Sequence, residues 1–100
     1  MTFVDMRSYE RVVAQQVLLG RHRLFGEILL HVSDFSPGGL LVKSRHGIER
    51  GDLLTVQIPN LGGLEVLCIW KHHQAAGFSF QLPLPYEKFA VMLSGMNAQK

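Results

Sequence analysis

Only one cysteine, Cys68, occurs in the chain, which excludes an internal disulfide. Its place between Leu67 and Ile69 in a strongly apolar run marks it as a small buried hydrophobe and suits a reducing cytoplasm. Long apolar runs are missing too: no stretch is hydrophobic for the roughly 20 residues that a helix needs to cross a bilayer. The opening Met1-Thr2-Phe3-Val4-Asp5-Met6 has neither a basic flank nor a sustained apolar segment, so neither secretion nor membrane insertion is expected. An excess of one charge is also absent. The net charge of +2 falls short of the dense basic face with which duplex binders neutralise phosphates. What the chain does have is apolar content, 47% hydrophobic against 18% charged residues, the balance of a packed core and not of a disordered segment. Its 100 residues can enclose one such core and not two, so a single domain is expected.

Strand-like and turn-like pieces alternate from Val12 to Gln81 without an internal repeat. Val12 to Leu19 and Leu24 to Val32 are rich in branched and apolar residues, with Gly20-Arg21-His22-Arg23 between them as a polar hairpin loop. Ser36-Pro37-Gly38-Gly39 has the chemistry of a type II turn, with glycine supplying a positive φ, and Leu40 to Lys43 begins the next strand. Arg50-Gly51-Asp52 leads into Leu53 to Ile58, and Pro59-Asn60-Leu61-Gly62-Gly63 into Leu64 to Lys71. After the polar His72-His73-Gln74 comes Ala75 to Gln81. From Pro85 the period changes, and Tyr86, Phe89, Leu93 and Met96 fall at helical spacing.

Two short motifs carry the chemistry: Arg7-Ser8-Tyr9-Glu10-Arg11 and Asp34-Phe35-Ser36-Pro37-Gly38-Gly39. Arg7 and Arg11 are four apart, which places them on one side of a strand and equally on one side of a helical turn. In either geometry both guanidiniums can reach one ligand. A guanidinium donates through a planar fork that matches phosphodiester oxygens or the O6/N7 edge of guanine, and its flat face stacks on a base. Asp34 and Ser36, two apart in extended chain, share a face. A carboxylate only accepts, and guanine offers adjacent N1 and N2 donors, so Asp34 favours guanine. Ser36 adds a donor or acceptor beside it, while Gly38 and Gly39 remove Cβ atoms where the backbone would approach the ligand. A guanine dinucleotide with two phosphodiesters fits this set of groups.

In their order, separation and intervening β pattern, these two motifs resemble the PilZ family, whose ligand-binding members carry RxxxR followed by [D/N]xSxxG. The likeness continues through Ile69-Trp70 and Ala76-Gly77-Phe78-Ser79-Phe80, similar to that family's paired closing strands, and so spans Arg7 to Phe80. It implies a mainly β fold, a small six-stranded antiparallel β-barrel with a short C-terminal α-helix. Within one domain over residues 1–100, residues 1–11 would form an arm, 12–81 the barrel and 85–97 the helix. The resemblance further implies no catalysis, no cofactor, and a bacterial cytoplasmic receptor that binds cyclic di-GMP through Arg7, Arg11, Asp34, Ser36, Gly38 and Gly39. Ligand binding would order the arm and signal to a downstream protein. One family variant has a further arginine immediately before RxxxR and holds two stacked ligands. Here that position is Met6, which implies one ligand per domain unless Arg21 to Arg23 supply the missing cation.

Each group also has a purely structural explanation. Arg7 and Arg11 fit solvated charges that pair with Asp5 or Glu10, and Asp34 and Ser36 fit caps of the turn. Trp70, Phe78 and Phe80 fit barrel core better than base-stacking platforms. His72 and His73 are adjacent and would point oppositely on a strand, with no second cysteine or spaced carboxylate to complete a metal site. Ser36 precedes a proline and lacks the Gly-x-Ser-x-Gly elbow of a hydrolase. Two other functions compete with the receptor: a ligand-independent adaptor of the same fold, and a small barrel that binds single-stranded nucleic acid with arginines and aromatics.

Overall fold

The computed structural model describes residues 10–44 and 46–96. Arg7, Met6 and most of the expected arm lie outside the described residues, as does position 97 at the expected helix end. Among the described residues, six strands are followed by one helix: β1 (Val12–His22), β2 (Gly26–Ser36), β3 (Gly39–Lys43), β4 (Leu53–Ile58), β5 (Gly62–His72), β6 (Ala75–Phe80) and α1 (Tyr86–Gly95). All pairings are antiparallel, and the order β1-β2-β3-β6-β5-β4 closes into a barrel. The closing seam is short, with Gly20, Arg21 and His22 of β1 opposite Val56, Thr55 and Leu54 of β4.

The core follows from period-2 alternation. Leu54, Val56 and Ile58 of β4 are buried while Leu53, Thr55 and Gln57 between them are exposed. The same rhythm turns Ile28, Leu30 and Val32 of β2, Leu40 and Val42 of β3, and Ala76, Phe78 and Phe80 of β6 inward. Cys68 joins them at 1% exposure, and burial raises its thiol pKa to about 11, so it is an inert filler of the core. α1 closes one end of the barrel. Its buried anchor is Met92, with Phe89 and Leu93 packed beside it, and the Phe89 ring lies 5.8 Å from Phe35 in a tilted contact.

Four expectations are corrected. The first hairpin turns at Arg23-Leu24-Phe25, not over Gly20–Arg23, because His22 alternates inward to 4% exposure and extends β1, and Gly26 takes the left-handed φ of 70° after the turn. Tyr86 is 85% exposed, since the stripe that packs on the barrel is Phe89, Met92 and Leu93, followed by buried Met96 just past the helix, and Tyr86 lies off it. Gly38 and Gly39 are not among the glycines with positive φ, so the Pro37-Gly38 turn is not type II. Gly39 is needed for space instead: a Cβ there would stand 1.9 Å from the carbonyl oxygen of Phe78 on the paired strand β6. The fourth correction is Trp70, which is half-buried on the outside of the barrel, while Phe78 and Phe80 do lie in the core. A bulge between Cys68 and Trp70 shifts the register of β5 against β6, so that Cys68 faces Phe78 inward and Trp70 pairs with the outward position Gly77.

Candidate ligand-binding site

Asp34 owes its position to two bulges. On one side Val13 and Gln16 of β1 pair with Asp34 and Val32, leaving an extra residue in β1; on the other, Val32 and Asp34 pair with Val42 and Leu41, leaving Ser33 extra in β2. Without the second bulge, strict alternation from buried Val32 would aim Asp34 into the barrel. With it, Phe35 takes the inward place at 0% exposure and Asp34 comes to the outer surface. The Ser33 hydroxyl donates to the Leu41 carbonyl at 3.3 Å and ties the bulge to β3.

The Arg11 guanidinium meets this carboxylate, its Nη1 donating to Asp34 Oδ1 at 2.6 Å. The side chains are 31% and 17% exposed, so the pair is held at the barrel surface with faces open to solvent. Arg11 thus joins the first motif to the second across the β1–β2 pairing. Arg7 lies outside the described residues.

Ser36 has the local role that turn chemistry gives it. Its hydroxyl is buried and accepts the Gly38 N–H at 3.1 Å. Carbonyls of the turn are tied to the end of β6 and the chain just after it, with the Phe80 N–H donating to Gly38 and the Leu84 N–H to Pro37, both at 2.8 Å. Gly39 fits here because it lets β3 and β6 approach. The DxSxxG motif therefore separates in space: Asp34 presents a charge outward, while Ser36, Gly38 and Gly39 make the buried corner that holds β2, β3 and β6 in place.

One contributor was missed by sequence reasoning. The register links Val13, Asp34, Leu41, Gly77 and Trp70 as successive partners across β1, β2, β3, β6 and β5. Paired residues of antiparallel strands share a face, so these five form one outward row around the barrel. The indole lies across Gly77, where a Cβ would stand 2.1 Å from Trp70 Nε1. The result is a flat apolar shelf, Trp70 over Gly77 beside half-buried Leu41, ending at the Arg11–Asp34 pair. The signal that could have found it is Gly77 itself, a glycine between strand residues where only a close neighbour explains the missing side chain.

The opposite end of β1 carries a second polar cluster. The His22 ring accepts the Leu24 and Phe25 N–H groups at Nδ1, 3.0 and 3.4 Å away, which leaves the proton on Nε2 to donate to Asp52 Oδ2 at 2.8 Å. Asp52 also accepts the Glu49 N–H, and these bonds, that from His22 foremost, hold its carboxyl below the ordinary 3.8. The ring stacks on Phe25 at 4.4 Å. Its partners are the backbone and Phe25 ring of the hairpin turn and the Asp52 side chain just before β4, so this cluster fastens the hairpin end to the entry of β4. Arg21 and Arg23 are at this end too, and Arg21 stands ten residues from Arg11 along β1, roughly 30 Å at the rise of a strand, too far to supply a cation at Asp34.

A small closed barrel with an open, partly apolar shelf that ends in a guanidinium–carboxylate pair offers a surface suited to binding. The chain matches the PilZ domain over residues 5–90, and it belongs to that family. Members are binding modules that serve as cyclic di-GMP receptors or as adaptors. No curated protein matches the chain. Among the described residues no helix is long and apolar enough to cross a membrane.

Proposed function

We propose that this domain is a cyclic di-GMP receptor, with one ligand lying against the outer row of the barrel between Arg11–Asp34 and Trp70. The observation that carries the reading is the 2.6 Å contact of Arg11 with Asp34, which brings the two sequence motifs to one point on the surface. Arg11 contributes a fork for a phosphodiester or a guanine edge, and Asp34 accepts from guanine N1 and N2. Trp70, spread over Gly77, offers a face on which a base can stack. Arg7 acts as the second guanidinium, and its capture by the ligand ties the arm to the barrel, an ordering that a downstream protein reads. Ser36, Gly38 and Gly39 support the site from beneath by shaping the turn. Single-ligand stoichiometry is favoured by Met6 in place of an arginine and by the distance of Arg21 and Arg23 from the site.

One observation favours the ligand-independent adaptor: Arg11 and Asp34 already satisfy each other, and the Ser36 hydroxyl already accepts from Gly38. Titration with cyclic di-GMP, GTP and a single-stranded oligonucleotide decides between these readings. Saturable binding of cyclic di-GMP alone is expected; binding of none of the three leaves the adaptor, and preference for the oligonucleotide leaves the nucleic-acid barrel.

A further inference from the structure

We infer that the outer face of the β1–β2 hairpin, beyond the bulge that borders Asp34, is the contact through which two copies of this chain pair about a twofold axis parallel to the strands. A solvated sheet face alternates to polar residues. Here the outward positions carry Val17, Leu19 and Leu29, which are 49%, 40% and 57% exposed. They stand in adjacent rungs, Val17 opposite His31 and Leu19 opposite Leu29, and the next rung is Arg21 opposite Glu27. The apolar patch is thus flanked on one strand by a cation and on the other by an anion.

That arrangement is complementary to itself in one orientation. A twofold axis running along the hairpin, midway between β1 and β2, exchanges the two strands without changing height. Each Leu19 then covers the partner's Leu29, each Val17 the partner's His31, and each Arg21 the partner's Glu27, at the roughly 10 Å spacing of packed sheets. An axis across the strands would instead set the charged rung of each copy against the partner's opposite end. Within one chain Arg21 and Glu27 are 3.8 Å apart and largely exposed, a loose pair worth little by itself, which leaves both free to engage across the contact. Among the described residues, Thr55 and Gln57 of β4 extend the face beside Arg21 with neutral groups that do not oppose the approach.

The proposal is independent of the ligand reading, and none of its residues belongs to the Arg11–Asp34 site. Sedimentation of the full chain over a concentration series to about 1 mM, the weak limit of specific association, is expected to show a monomer–dimer equilibrium. Leu29→Asp, Arg21→Glu and Glu27→Arg should each weaken it tenfold or more, because like charges then oppose each other or a charge enters the apolar centre. The decisive arm mixes the two reversals. Arg21→Glu and Glu27→Arg chains, each monomeric alone, should form a 1:1 heterodimer, since every facing pair is again of opposite sign, and that recovery also shows that both variants are folded. A wild type monomeric throughout the series, reversals that leave the dimer intact, or a mixture that stays monomeric would each overturn the proposal.

Discussion

Arg11 Nη1 donates to Asp34 Oδ1 at 2.6 Å, a charge-assisted bond between residues 23 apart in sequence that holds the start of β1 against β2. Both side chains remain partly in water, so the pair adds little to folding. Arg11→Ala is expected to weaken cyclic di-GMP binding tenfold or more, the loss of one charged hydrogen bond worth about 1.5 to 3 kcal/mol. Thermal stability should change by less than about 1 kcal/mol. Arg7→Ala should weaken binding similarly. Calorimetric titration with parallel thermal melts checks all of these.

Asp34→Ala should act differently from the arginine variants. The carboxylate is repelled by the ligand's phosphates and helps only through base donors, so its removal should erode the preference for cyclic di-GMP over cyclic di-AMP more than the overall attraction. Equal binding of both ligands by the wild type would leave Asp34 without this role.

Gly39→Ala tests the corner and not the ligand. The new methyl would meet the Phe78 carbonyl oxygen at 1.9 Å, and a paired backbone cannot yield as a flexible side chain can. A loss of about 3 kcal/mol in chemical denaturation is expected. A variant as stable as wild type would show that β3 and β6 can separate at this point.

Trp70 is the single tryptophan in the chain, so its fluorescence reports on the shelf alone. Ligand stacking should change the emission intensity saturably. Trp70→Ala should weaken binding about tenfold, in line with the 1 to 3 kcal/mol of a base stacked on an aromatic ring. An emission spectrum unmoved at saturating ligand would place the base elsewhere.

The His22–Asp52 cluster should contribute to the acid sensitivity of the fold. Asp52 has its carboxyl lowered from 3.8, chiefly by the bond from His22 and then by the Glu49 N–H. A depressed carboxyl contributes stability that is present above the ordinary value and is lost as pH falls through the lowered one. Unfolding followed from pH 6 down to about 2 should therefore steepen below about pH 4. Asp52→Asn should lower stability by about 1 to 2 kcal/mol at neutral pH and flatten that acid slope. An unchanged slope would show that other carboxyls set the limit.

The sequence made the barrel legible where alternation was strict. Leu53 to Ile58 matched β4 residue for residue, and the later strands were found to within two residues because turn residues bracket them. Errors arose where one residue served two purposes. His22 looks like a loop residue because it is polar, yet three hydrogen bonds satisfy it inside the fold. Trp70 looks like core because it is large, and only the bulge at Ile69 turns it out. Bulges depend on the partner strand, so no pattern within β5 or β2 announces them. For the same reason Asp34 could be named from its motif, whereas its outward aim rests on Ser33. The division of labour within DxSxxG was hidden as well, because turn-making and ligand-binding both call for serine and glycine.

Receptor function requires that the Arg11–Asp34 surface take up the ligand. Isothermal titration of the intact chain with cyclic di-GMP, repeated with the Arg11→Ala and Asp34→Ala variants, tests this directly. Saturable binding of one ligand per chain, lost or weakened tenfold or more in Arg11→Ala and with reduced discrimination against cyclic di-AMP in Asp34→Ala, is the predicted result. No heat and no saturation in the wild type, or binding that both variants retain at wild-type strength, would contradict it.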